Sequence, residues 1–288
     1  MSKINVCEMV TERIIAELEK GIIPWQRPWT GTKQGAYSRS TGKPYSLLNQ
    51  FLLGKPGEWL TFNQAKEAGG HIKKGEKSSI VVFYKPLPIE EENADGKKEI
   101  KVVPLLRYYN VFHIDQCEGI EPKYQPEKIA ETFDPLQKAE ELTAAYCNRE
   151  GVKLNIRTSN RAFYSPDTDA ITMPLREQFP VREEFYSTLF HELTHSTGHK
   201  KRLNRLNKTA AFGNEEYSKE ELVAEIGAAT IINRLGLESP KSFRNSAAYI
   251  QSWINALKND KRLIISAASK ANKAISLIFN ETLEELEV

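Results

Sequence analysis

Residues 188–199 read Thr188-Leu189-Phe190-His191-Glu192-Leu193-Thr194-His195-Ser196-Thr197-Gly198-His199, and His191 to His195 form an HExxH. Two histidines four apart share one helix face, so both imidazoles reach a single tetrahedral ion. Zinc suits the ligand type, with manganese or another divalent metal as the alternative. Glu192 points from the same turn at the open coordination position, where it acts as general base toward water. A catalytic centre of this kind needs a third protein ligand. The run 218–225, Ser-Lys-Glu-Glu-Leu-Val-Ala-Glu, offers Glu221 and Glu225 on one face of the next helix. Glu221 is assigned as ligand and Glu225 as the carboxylate orienting a ligand histidine, with Glu225 as the alternative ligand. Ser218 and Glu221 are also spaced as a capping box. Tyr217, just before, is positioned to donate to a developing oxyanion. His199 is no third ligand: the long metzincin motif would need histidine at 201, where Lys201 stands, so His199 reads as a polar loop residue.

Outward from this motif, hydrophobic periodicity predicts helices over 181–197, 219–235, 246–258 and 261–286. Before them, Asp134 caps a helix starting at Pro135 and closed by Gly151, followed by strands at 152–158, 161–165 and 170–173. The expected unit is a small antiparallel sheet backed by active-site helices.

The chain has 288 residues, 40 Lys plus Arg against 38 Asp plus Glu, and a net charge of +2. That length implies two domains. Pro122, Pro126 and Pro135 mark a linker over 119–133, dividing 1–118 from 134–288. Cys7, Cys117 and Cys147 are scattered and never form CxxC, which disfavours a disulfide framework or cysteine zinc site and fits a cytoplasmic protein. No apolar run is long enough for a membrane span.

The small net charge conceals a divided chain. Residues 20–85 carry +8, offset by acidic residues on either side. The same segment holds three of the four tryptophans, Trp25, Trp29 and Trp59. Cations track phosphates and aromatic faces stack on unpaired bases, so the mixture suits single-stranded nucleic acid. Candidate contacts are Trp25, Arg27, Trp29, Lys33, Arg39, Lys43, Tyr45, Asn49, Lys73, Lys74 and Lys77. Here the pattern predicts an α+β fold. Ser2 caps a helix ended by Gly21, and Thr61 and Gln64 open a second. A turn at Lys74-Gly75 leads to a strand over 78–84, and an acidic tip at Asp95-Gly96 leads to another over 100–114, where Pro104 suggests an edge or bulge.

Taken together the chain resembles the ArdC-type antirestriction proteins of plasmids and other mobile elements. In the first half the resemblance rests on Ile23-Pro24-Trp25 with Pro28-Trp29, Tyr45 to Asn49, and Trp59 to Ala65. It continues through Gly69-Gly70 with Lys74 to Lys77, and Tyr109 to Phe112 leading to Asp115-Gln116. In the second half it rests on HELTHSTGH, on Arg202-Leu203-Asn204-Arg205 and on the EELVAE helix. It implies an N-terminal single-stranded-DNA-binding domain, found also on conjugative primases, and a C-terminal zincin-like metallopeptidase domain of the gluzincin type. It further implies protection of incoming DNA from host restriction. His191 and His195 match the family's metal histidines and Glu192 its catalytic glutamate. The expected partners are single-stranded DNA and a protein substrate such as a host restriction component, with no membrane. Two other readings remain: a non-catalytic DNA-binding protector with a structural metal, and a cytosolic peptidase unrelated to DNA.

Overall fold

A computed structural model describes residues 5–26, 35–92, 98–124, 134–206, 215–237 and 247–282; the side chains of residues 84–105, 135, 215–217 and 247–249 also lie outside it. The first helix, α1 (Val6–Glu19), is capped by Asn5, whose side chain accepts from the Glu8 N–H. Ser2, expected as the cap, lies outside the described residues. Val10, Ile14 and Leu18 recur at helical spacing and are buried. A short 3-10 turn, Pro24–Gln26, precedes β1 (Ala36–Ser38) and α2 (Leu47–Leu53). β2 (Gly57–Leu60) leads into α3 (Phe62–Glu67), where Thr61 and Gln64 form the expected capping box.

After β3 (His71–Ile72), β4 (Ser79–Glu92) and β5 (Lys98–His113) pair in a long hairpin, extending both expected strands. The tip, with Asp95 and Gly96, is outside the described residues. Register sets Pro104 opposite Pro86 without a bulge, and Pro88 two residues along. Alternation gives all three prolines the same pairing class, the one in which each N–H points away from its partner and none is missed. The sheet order is β1-β2-β5-β4, and Asn49 of α2 bonds the Val82 amide and carbonyl on β4 at 2.7 and 3.0 Å. β6 (Cys117–Glu118), which pairs with β3, ends just before the expected linker, of which residues 125–133 are outside the description.

Beyond it, α4 (Pro135–Glu150) has the expected Asp134 cap and a left-handed Gly151. Strands β7 (Lys153–Ile156), β8 (Phe163–Ser165) and β9 (Ala170–Met173) form a sheet ordered β7-β9-β8. It is mixed where a wholly antiparallel one was expected. The β8–β9 hairpin is antiparallel, but the chain crosses from β7 so that β9 joins it in parallel. Helices α5 (Arg182–Thr197), α6 (Glu215–Leu235), α7 (Ala247–Asn259) and α8 (Leu263–Phe279) follow. The last ends at Asn280, whose left-handed backbone stops it well short of the expected 286.

The hydrophobic core does not follow the proline-marked boundary. Ile14, Trp25, Phe51, Ile80 and Val82 share one cluster with Leu222, Val223 and Ile226 of α6, Trp253 of α7 and Ile264 of α8. A second cluster joins Tyr146, Ile171 and Met173 to Phe185, Leu189 and Leu193 of α5 and to Ile231 and Ile232 of α6. Helix α6 therefore lies between the two cores, one face on each.

Candidate metal centre

The four-residue spacing on α5 brings His191 and His195 side by side, their Nε2 atoms 3.1 Å apart. Helix α6 comes close enough to face them because Gly227 has no side chain. A Cβ there would meet the Thr194 side chain of α5 at 2.5 Å. Three carboxylates of α6 converge on the two imidazoles. Glu221 Oε2 lies 3.5 Å from His191 Nε2, and its Oε1 lies 3.3 Å from His195 Nε2. On the far sides of the rings, Glu225 Oε1 is 3.4 Å from His191 Nδ1 and Glu220 Oε1 is 3.2 Å from His195 Nδ1.

This geometry fits a divalent metal. Donor atoms of His191, His195 and Glu221 all lie within 4.8 Å of one another. Tetrahedral coordination with bonds of about 2.05 Å separates ligand atoms by about 3.3 Å; the two Nε2 atoms lie 3.1 Å apart, and Glu221 sets one oxygen 3.5 Å from His191 Nε2 and the other 3.3 Å from His195 Nε2. With its proton on Nδ1, His195 would face Glu220 at 3.2 Å and leave Nε2 to bind an ion, while Glu225 lies 3.4 Å from His191 Nδ1. A cation among the two Nε2 atoms and Glu221 would satisfy all three.

With no metal bound, the same acidic surroundings favour a proton on His195. Burial alone would lower the His195 pKa, but bonds to Glu220 and Glu221, with the charges of Glu192 and Glu220, outweigh it and hold the imidazole up to about 10. Glu221 is held far below the usual carboxylate range, its burial overcome by His191 and His195. The site carries surplus negative charge, which a divalent ion neutralises.

Ser218 does not cap α6. The helix begins at Glu215, so Ser218 lies inside its first turns and Glu221 is left to face the histidines. The Tyr217 side chain lies outside the described residues. Glu192 is buried on the same helix as the two histidines. His199 lies in the turn after α5, as expected, but is buried: it accepts the Lys201 N–H and lies 3.7 Å from Asp169. Glu220 was missed in the sequence. Its signal is adjacency, since in Glu220-Glu221 one residue faces each nitrogen of the same ring.

The nucleic-acid candidates separate into two groups. Trp25 is wholly buried, edge-on to Trp253 and Phe51, and Tyr45 and Asn49 are core residues; none can stack on or bond a base. Their place in the sequence beside lysines does not reveal that their partners lie elsewhere in the fold. Arg39 is committed to the buried Glu58 carboxylate, which also accepts the Lys123 and Tyr124 amides. Lys43, Lys73, Lys74 and Lys77 are exposed. Arg27, Trp29 and Lys33 lie outside the described residues. Two aromatic rings not singled out in the sequence are exposed, Phe62 at 60% and Tyr109 at 45%. Among the described residues no helix is long and apolar enough to cross a membrane.

Residues 4–112 match the N-terminal domain of anti-restriction factor ArdC, and residues 138–270 match a zincin-like metallopeptidase family. DNA primase TraC of Escherichia coli is 35% identical over 92% of this chain, which spans only 19% of that much longer protein. An uncharacterized protein of Sinorhizobium fredii is 29% identical, with 93% of this chain and 90% of that one covered. Among solved structures, the Mn(II)-bound antirestriction ArdC protein from plasmid R388 superposes with a TM-score of 0.75 at 36% identity, covering 96% of this chain and 98% of that one. Its metal-free form gives 0.73 at 37% identity, covering 97% and 100%. A fold shared along its whole length, with both family domains in order, means that the chain belongs to the ArdC antirestriction family.

Proposed function

We propose that this protein binds single-stranded DNA through its N-terminal half, and hydrolyses a peptide bond at a divalent-metal centre in its C-terminal half. In this reading it protects the DNA of a mobile element from host restriction. The observation that carries the reading is the convergence of His191 Nε2, His195 Nε2 and the Glu221 carboxylate, with one donor atom of each within 4.8 Å of the others. These three residues hold zinc or manganese, and Glu225 orients His191. When bound, the metal supplies Lewis acidity that polarises a scissile carbonyl and acidifies water. Glu192 takes the proton from the attacking water and passes it to the leaving amine. An extended substrate pairs with an exposed edge of the β7-β9-β8 sheet. Exposed Lys43, Lys73, Lys74 and Lys77, with the open rings of Phe62 and Tyr109, support a surface that follows phosphates and stacks on bases.

The test is Glu192→Gln in the full chain, with antirestriction activity, metal content and single-strand affinity measured together. Lost protection with metal and DNA affinity retained is the expected result. Unchanged protection with metal still bound would instead favour a non-catalytic protector with a structural ion.

A further inference from the structure

We propose that Arg205 and Glu220 form a positioning pair that fixes the orientation of His195 and thereby sets how tightly the centre holds its metal; this rests on the reading that His191, His195 and Glu221 bind the ion.

The two histidines are not held alike. His191 is nearly sealed in the core, whereas the His195 side chain keeps 13% of its exposure. His195 therefore depends more on what grips its Nδ1, which is Glu220 at 3.2 Å. Glu220 is in turn clamped by a forked Arg205. Nε reaches its two oxygens at 3.2 and 3.0 Å, and Nη2 reaches Oε1 at 2.9 Å. The remaining donors of the same guanidinium run to the last turn of α5, Nη1 to Thr197 Oγ1 at 2.6 Å and Nη2 to the Thr194 carbonyl. One arginine thus ties the helix bearing His195 to the carboxylate that orients it. Both charges are mostly buried, at 7% and 15% exposure. A buried pair tolerates the loss of water only when its remaining hydrogen-bonding capacity is met, as these contacts do.

The main chain is shaped to admit the arginine. The amides of Arg205 and Leu206 both donate to the Gly198 carbonyl at 3.0 Å. A Cβ on Gly198 would lie 2.8 Å from Leu206 Cγ, 3.0 Å from Arg205 Cγ and 3.1 Å from its Cζ. The Gly198 backbone is ordinary and helical, so the glycine is there for close approach and not for an unusual turn. Arg202, from the same Arg-Leu-Asn-Arg run, anchors the segment to Asp169, the Ser196 carbonyl and the Glu150 carbonyl.

The experiment compares full-length wild type, Glu220→Gln, Arg205→Gln and the double variant, with Zn2+ and Mn2+ affinities taken from chelator competition and absorption spectra from the Co2+-substituted proteins. Glu220→Gln is expected to lower affinity roughly 10- to 100-fold and shift the cobalt bands, as loss of an outer carboxylate does. Arg205→Gln should move both in the same direction. The double variant should lose no more than Glu220→Gln alone, because the two act in series. Should Glu220→Gln fail to fold as the metal-free protein, Glu220→Asp carries the test through the cobalt spectrum. Wild-type affinity and spectrum in a folded Glu220 variant would overturn the proposal while leaving the metal reading intact. A wild-type protein that takes up neither ion brings down both.

Discussion

At the scale of single residues, His113 shows how a side chain acquires its chemistry from contacts. Its Nε2 bonds the Pro56 carbonyl at 3.0 Å, and its Nδ1 accepts the Asp115 amide at 3.2 Å. The ring is therefore neutral, with its one proton on Nε2, and a second proton on Nδ1 would collide with a donor. Burial and the nearby Lys55 charge lower its pKa, against a smaller opposing pull from Pro56, Asp115 and Glu58. A base with a depressed folded pKa binds fewer protons native than unfolded, so its contribution is present above the unfolded value of about 6.5 and is lost as pH falls below it. The thermal midpoint of wild type should fall between pH 7 and pH 5 more steeply than that of His113→Gln at the same metal loading. Equal slopes would remove His113 from the acid response. At this scale much of the metal site was legible: HExxH and ExxxE fix residue types and helix faces by spacing alone. Glu220 was not, since its role depends on how α6 is rotated against α5, which spacing within one helix does not reveal.

At the scale of elements, the site depends on the approach of α5 to α6. Glycine within α6 is costly to a helix by itself, by roughly 1 kcal/mol relative to alanine, yet Gly227 stands where any larger residue would meet Thr194. The close approach decides the sign. Gly227→Ala should destabilise the protein by about 1 to 3 kcal/mol through overpacking, and Gly227→Ala with Thr194→Ser should recover part of it. Calorimetric midpoints of the two variants check this; a stabilising Gly227→Ala would mean that helix propensity outweighs packing. Most elements were visible in the sequence through periodicity and caps: Thr61 with Gln64, Asp134 with Pro135, and Gly151. The failures lie where the deciding force is tertiary. α6 starts before its apparent cap because its first turns continue a helix packed on two cores, and β7 joins β9 in parallel through a crossing that no local turn signal records.

At the scale of the whole molecule, the aromatic residues separate stability from binding. Trp25→Ala should lower stability by about 3 to 5 kcal/mol, the usual loss for a large core aromatic. Phe62→Ala should leave stability unchanged and weaken single-strand binding by about 1 to 3 kcal/mol if its ring stacks on a base. Denaturant titrations beside fluorescence anisotropy with a labelled oligonucleotide measure both. Composition singled out a segment inside the half that matches the ArdC N-terminal domain, but could not tell a tryptophan facing solvent from one facing Trp253.

The cluster that unites α1, the Trp25 turn and α2 with α6, α7 and α8 also bears on how such a protein can be inherited. Cutting the chain at its proline-rich segment would expose apolar surface on both pieces, so neither half makes a good module by itself. Recombination that moves both halves together leaves this shared core whole. The match to primase TraC, 92% of this chain inside a protein about five times as long, has the extent expected of a cassette transferred intact.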